Sequence, residues 1–225
     1  MSLRVTGVRD DGYHLIDAEM VSLDLADELV VTDGDGFEVV EGHHLGVVDP
    51  DDNLVGRALR AVGRHAHVAL RKRIPAGGGL GGGSSNAAAI LRWAACDNLK
   101  IAESLGADVP FCLRGGRARV TGIGEVLDPL PFEARTITLA MPPYGCSTPA
   151  VYAAWDALGG PTAEGPNDLE PAAFVVEPRM AAFRDALGDA TGLTPRLAGS
   201  GSTWFVEGEF PGDGRIVART TPAYW

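Results

Sequence analysis

The sequence predicts an α+β protein of two lobes, and three observations carry that expectation. The residues before position 75 read as short strands broken by Gly/Asp turns. A glycine run then leads straight into a helix. From about Thr148 the texture changes to two helices and three or four strands, the make-up of a small α+β sandwich. A chain of 225 residues is long enough to bury a real core and stands near the border between one large domain and two smaller ones. A boundary near Glu133 divides it into residues 1–133 and 134–225.

Taken in order, Leu3–Thr6, Glu19–Leu25, Leu29–Thr32 and Phe37–Val40 are rich in β-type residues, with turns such as Asp10-Asp11-Gly12 and Asp33-Gly34-Asp35-Gly36 between them. Asp51-Asp52-Asn53 predicts the acidic, capped start of a helix carrying Leu54, Ala58, Leu59 and Val62 on one face. The alternating apolar run Val68–Ile74 predicts a strand entering the glycine run, and Ser84-Ser85-Asn86 predicts the capped start of the helix leaving it. A short helix over Leu99–Leu105 stops at Gly106, as a helix C-terminus should. Strands return near Ala118–Thr121 and Arg135–Met141. The second lobe follows with helices near Pro149–Ala157 and Pro178–Leu187, then strands near Pro195–Ala198, Thr203–Glu207 and Arg215–Arg219.

The glycine run is the most informative segment. Residues 77–83 hold six glycines in seven positions, so the backbone can turn its N–H groups inward ahead of a helix whose dipole favours an anion. That is the construction of a phosphate cradle. A flexible linker is the alternative, but Gly/Ser linkers are not normally set between an alternating apolar run and so clean a helix start. A Walker A loop is excluded, because Gly83-Ser84-Ser85 stands where Gly-Lys-Ser/Thr is needed. A dinucleotide pattern on Gly77, Gly79 and Gly82 is matched trivially by so many glycines.

Composition narrows the partners. A formal net charge of −11 and a pI near 4.8 argue against nucleic acid or an anionic membrane, both of which need a basic face. An anionic nucleotide must then be met locally, and the dense basic cluster Arg71-Lys72-Arg73 stands just before the glycine run; a solvated strand end is the other reading of it. Cys96, Cys112 and Cys146 are odd in number and not paired as C-x-x-C, so neither a disulfide framework nor a zinc knuckle is indicated. His43-His44 and His65-x-His67 lack companion ligands, and no metal-ligating residue is assigned. No apolar run approaches the length of a membrane span, and a cytoplasmic location is expected.

Three further clusters bear on chemistry. Gly106-Ala107-Asp108-Val109-Pro110-Phe111 sets one carboxylate among apolar residues, an environment that suits an acid for orienting or accepting a proton; a turn Asp after a helix is the plainer reading. Gly199-Ser200-Gly201 forms a second glycine turn between strands, able to offer N–H groups to a phosphate or to pack close to the first loop; a simple hairpin turn is the equal alternative. Asp11-Gly12-Tyr13-His14 places an aromatic ring and an imidazole where they can stack on and hydrogen-bond a planar base.

Together and in this order, Val5 to His14, Asp52-Asn53-Leu54, Pro75 to Asn86, Gly106 to Phe111, Gly122-Ile123-Gly124-Glu125, Ser147-Thr148-Pro149 and Gly199-Ser200-Gly201 resemble the segments of the GHMP small-molecule kinases. The Asp-Gly-Tyr-His turn is similar to that of the branch acting on a methylerythritol carried by cytidine diphosphate in non-mevalonate isoprenoid synthesis. The resemblance implies a two-lobed GHMP kinase fold: an N-terminal lobe like ribosomal protein S5 domain 2 and a C-terminal ferredoxin-like α/β sandwich. It implies transfer of the ATP γ-phosphoryl group to the tertiary 2-hydroxyl of the methylerythritol unit; the alternatives are a GHMP kinase for another small alcohol, such as homoserine or mevalonate, and a nucleotide-binding relative with weak or no catalysis.

By the same resemblance, Gly79, Leu80, Gly81, Gly82, Gly83, Ser84 and Ser85 hold the ATP phosphates, with Pro75, Gly77 and Gly78 completing the loop and Asn53 and Lys72 near the nucleotide. Asp108 orients or deprotonates the accepting hydroxyl. Cytosine stacks on Tyr13, with Tyr152 on its other face, while His14 reads its polar edge. Gly199 and Gly201 close around the substrate phosphates, and Thr148 and Ser200 are counted with them as substrate contacts. Mg²⁺ bridges ATP oxygens, with Ser84 or Ser85 as its protein contact. The implied partner is the small cytidine diphosphate compound, for a monomer or homodimer. The family opens with an Ala-Lys-x-Asn segment whose lysine pairs with the catalytic aspartate, whereas this chain begins Met1-Ser2-Leu3-Arg4, just downstream of it. Met-Ser-Leu reads as an expression leader, so the expectation is an artificially late start with the segment continuing in frame upstream. The stretches before Asp108 and at the C-terminus are short, which makes the chain a compact variant.

Overall fold

The computed structural model describes residues 1–42 and 53–224. Asp51, Asp52, His43 and His44 lie outside the described residues. The chain opens with β1 (Leu3–Val8) and β2 (His14–Val21), followed by β3 (Glu28–Thr32) and β4 (Gly36–Gly42). Next come α1 (Leu54–Ala61), β5 (His67–Lys72), α2 (Gly82–Trp93), α3 (Leu99–Leu105) and α4 (Val109–Arg114). The remainder runs β6 (Arg117–Gly122), β7 (Val126–Pro129), β8 (Thr136–Ala140), α5 (Thr148–Ala157), α6 (Glu170–Val176), α7 (Met180–Thr191), β9 (Arg196–Leu197), β10 (Trp204–Glu207) and β11 (Arg215–Arg219).

Among the described residues there are three sheets, ordered β1-β2-β6-β7, β3-β5-β4 and β11-β8-β10-β9. In the second, β5 pairs antiparallel with β3 and parallel with β4, and its alternating Val68 and Leu70 are buried, Val68 in one cluster with residues of α1 and α2. Helix α2 is the centre of that half. Ala87, Ala88, Ile90 and Leu91 have no exposed surface, and the alanines let neighbouring helices approach closely, so Val55 and Ala58 of α1 and Val109 and Leu113 of α4 share one core with it.

The third sheet is wholly antiparallel, and its own strands lie in the spatial order fourth, first, third, second. That is the ferredoxin-like arrangement. Its first crossover carries α5, α6 and α7, whereas residues 208–214 join β10 to β11 without a helix. Sheet membership changes between Pro129 and Thr136, but one core spans both halves. Leu3, Ile16 and Ala18 of the first sheet pack in one apolar cluster with Val151, Trp155, Met180 and Trp204. The seam is therefore fixed, and residues at the start of β2 face helix α5 across it.

The elements differ from the sequence expectation where they are short or where the strand phase is hidden. Strand β2 starts at His14 rather than Glu19, since Ile16 and Ala18 alternate into the core and the strand is paired on both sides. The short α4, β7 and α6 have too few residues for a period to show. No described helix is long and apolar enough to cross a membrane.

Candidate active site

Helix α2 is capped by backbone alone. Its N-cap is Gly81, held at φ +65, a left-handed conformation that costs little only for glycine, and no side chain bonds the first turn. This corrects the expectation that Ser84-Ser85-Asn86 supply the cap and the helix start. Ser85 Oγ donates back to the Gly82 carbonyl at 2.9 Å, and Asn86 is buried and turned toward Asp27. A serine cap would occupy the donors that an anion needs. Here the N–H groups from Gly79 to Ser84 have no hydrogen-bond partner among the described residues, so the cradle is open.

The second glycine turn packs against this cradle. Ser202 N–H donates to the Gly77 carbonyl at 3.2 Å, Thr203 N–H to Gly78 at 3.1 Å, and Cys146 N–H to Gly77 at 2.8 Å. A Cβ on Gly79 would stand 2.1 Å from the Ala198 carbonyl oxygen, so the contact exists only because position 79 has no side chain. Gly201 N–H is committed to Ala198 within the turn. Of the two roles open to Gly199-Ser200-Gly201 in the sequence, close packing is what Gly201 performs. Asn167 clamps the same turn, its Nδ2 donating to Leu197 and Gly199 carbonyls at 3.0 and 2.7 Å.

Two of the three cations of the basic cluster are already paired. Arg71 pairs with Glu28 and Glu41, and Lys72 Nζ lies 2.5 Å from Asp27 Oδ2, with only 11% of its side chain exposed. Lys72 reaches the underside of the helix start, 3.0 Å from where a Gly82 Cβ would be. Its neighbourhood to the loop is as expected, but its charge is already matched. Asn53 caps α1 by accepting from Gly56 N–H at 2.8 Å, and Leu54 beside it touches the Gly83 position, so α1 begins against the first turn of α2.

Asp108 immediately precedes α4, and its side chain makes no cap bond. Loss of water pushes its carboxyl above the usual carboxylate range. Burial first, and then the Asp108 charge, push both the Cys112 thiol and the Tyr152 phenol up to about 12. Cys112 Sγ is also 3.8 Å from the position a Gly81 Cβ would take, so α4 brings Asp108 to the edge of the cradle. The β6–β7 turn supports it from behind. A Cβ on Gly124 would come 2.9 Å from the Ala107 carbonyl oxygen, a close approach that no sequence pattern announced.

Helix α5 provides the opposite wall. Thr148 and Tyr152 are four residues apart and share a face; Thr148 Oγ1 lies 2.8 Å from Ser200 Oγ, and the Tyr152 ring stacks tilted on His14 with centroids 4.5 Å apart. His14 Nε2 is 2.8 Å from Asp156 Oδ1, and its ring meets Trp155 edge-on. Tyr13 stands 58% exposed on the turn between β1 and β2. His14, not Tyr13, faces the Tyr152 ring in this structure. Sequence reasoning missed Asp27 and Asn167 as parts of this site, because each acts through contacts distant along the chain, and it gave Gly124 a place in a resembling segment but no role.

Glycine-built anion cradle, ferredoxin-like second half and desolvated carboxylate define a GHMP-type kinase. A family model for the GHMP kinases N terminal domain matches residues 53–116. The chain is 39% identical over 262 residues to the 4-diphosphocytidyl-2-C-methyl-D-erythritol kinase of Ruegeria pomeroyi, covering 100% of this chain and 93% of that one. It is 37% identical over 249 residues to the protein of the same name from Paracoccus denitrificans, covering 100% and 91%. A crystal structure of 4-(cytidine 5'-diphospho)-2C-methyl-D-erythritol kinase superposes with a TM-score of 0.72 at 32% identity, over 97% of this chain and 95% of that one. The chain belongs to the 4-diphosphocytidyl-2-C-methyl-D-erythritol kinase family of the GHMP kinases.

Proposed function

We propose that this chain transfers the γ-phosphoryl group of ATP to the 2-hydroxyl of 4-diphosphocytidyl-2-C-methyl-D-erythritol, a step of non-mevalonate isoprenoid precursor synthesis. The observation that carries the reading is the desolvated Asp108 at the start of α4, the helix whose Cys112 lies against the open backbone cradle. Phosphoryl transfer asks a protein chiefly for alignment and for donors aimed at the phosphate oxygens. The N–H groups of Gly79 to Ser84 and the α2 dipole supply the donors, so ATP binds with its phosphates at the start of that helix. Asp108 accepts or orients the proton of the attacking hydroxyl, and its raised pKa brings it closer to the working pH of a general base.

Tyr13 offers an exposed face for the cytosine, His14 its polar edge, and Tyr152, Thr148, Gly199 and Ser200 the surface between base and reacting hydroxyl. Mg²⁺ fits the site as a hard cation taking oxygen ligands. Ser84 Oγ is without a partner among the described residues and would be its protein ligand, with the metal neutralising phosphate charge when bound. The proposed division is an ATP-binding unit over 1–133 and a second unit over 134–225, in a cytoplasmic monomer or homodimer. An ADP-release assay tests the reading: turnover is expected with the cytidyl acceptor and not with homoserine or mevalonate. Equal turnover of all three would overturn the substrate.

A further inference from the structure

The geometry points to Asp27 as the positioning residue of the phosphate loop, a deepening that rests on the reading of that loop as the ATP cradle. Its carboxylate has no exposed surface, and it receives four hydrogen bonds. Oδ1 accepts from the backbone N–H of Arg73 at 2.7 Å and of Ile74 at 2.8 Å, the residues by which the chain enters the loop. Oδ2 accepts from Lys72 Nζ at 2.5 Å and from Asn86 Nδ2 at 2.9 Å, the latter on the helix by which the chain leaves it. One buried anion from the segment between β2 and β3 thus ties both ends of the run Pro75–Gly81.

The physical need for such a tie follows from the run itself. Glycines lose the most conformational freedom on ordering, and a loop of them left free at both ends would have to be ordered by the nucleotide at a cost in affinity. Holding the entry and exit at fixed separation removes much of that cost before ATP arrives, and it keeps Gly79 against Ala198 where only glycine fits. Asparagine at position 27 would keep the size but present N–H groups toward Lys72 and Asn86, leaving a buried ammonium without its anion.

The test is steady-state kinetics of the full chain with Mg²⁺, varying ATP at saturating cytidyl acceptor and then the reverse, well below the Tm of each variant. Asp27→Asn is expected to raise the KM for ATP by roughly tenfold or more while the KM for the acceptor holds. Asn86→Ala, which removes one of the four bonds and leaves the ion pair, should move in the same direction by less. It carries the test alone if Asp27→Asn does not fold. An unchanged KM for ATP, a parallel rise of both KM values, or a fall in kcat alone would each overturn the inference. Calorimetric titration with MgATP separates it from the proposed function. A parent that does not phosphorylate the acceptor, yet binds MgATP more tightly than the variants, would sink the substrate reading and keep this one.

Discussion

The two walls of the site are built from different materials. The nucleotide wall is backbone: N–H groups of a continuous stretch, shaped by glycines and closed by a second glycine turn. The acceptor wall is side chain: His14 from β2, Asp108 before α4, Tyr152 from α5 and Ser200 from the turn before β10. A backbone site needs a local sequence in which side chains are absent, so it leaves a compact signature. A side-chain site needs only that distant positions meet, so each member looks ordinary in its own segment. On the proposed function, the first wall serves a ligand class and the second selects an acceptor.

The sharpest way to separate them is Asp108→Asn. It is expected to lower kcat by about a hundredfold to ten-thousandfold, as for loss of a general base, with ATP affinity retained. The parent should also show an acid limb in its rate profile above the ordinary aspartate value of about 3.9. The sign of the linked stability effect is fixed. Because the folded pKa is raised, the folded state holds the proton more tightly, and its contribution to stability is present at low pH and lost as pH rises through the folded value. Asp108→Asn should then raise Tm at neutral pH and not at acid pH, a pattern readable by calorimetry. A loss of ATP binding instead would merge the two walls into one.

Next in size are two alanines in the cradle. Gly79→Ala drives a Cβ into the Ala198 carbonyl and should destabilise by about 1–3 kcal/mol or more, as overpacking does. Gly81→Ala meets nothing nearer than Cys112 Sγ at 3.8 Å and should cost only the left-handed backbone penalty, roughly 1–2 kcal/mol. Urea melts compare them directly, and equal losses would mean that the contact between the two turns does not hold the cradle. Gly81→Val adds a β-branch at the mouth and should weaken ATP more than it weakens the fold.

Smaller again is Tyr13→Ala, expected to weaken the cytidyl acceptor by roughly 1–3 kcal/mol, the scale of base stacking on an aromatic ring, without moving ATP. Equal loss for both ligands in titration would make the turn structural. The least effect is expected from Asp156→Asn. Its carboxylate is half exposed beside His14, and such pairs are worth about 0–1 kcal/mol. A change in acceptor KM beyond that range would promote Asp156 from orienting His14 to reading the base.

How much was legible follows from the same contrast. Residues 77–83 announce the cradle, and Asp108 and Tyr13-His14 stand out only because their segments resemble one family in order. The cap of α2 was misread, since Ser-Ser-Asn has cap-forming residues but Gly81 already turns the chain and frees the donors. Lys72 was placed near the nucleotide with its charge available, yet Asp27, 45 positions earlier in the chain, has matched it.

The sequence by itself determined the α+β class, the main helices and strands, and the glycine loop that leads into α2, because alternation and glycine content act over a few residues. Only the tertiary structure decided that Asp27 matches the charge of Lys72, which turn packs on which, and that His14 meets Tyr152 across the seam. Those outcomes depend on burial and on contacts between residues far apart in the chain, and neither desolvation nor a long-range hydrogen bond has a local sequence pattern.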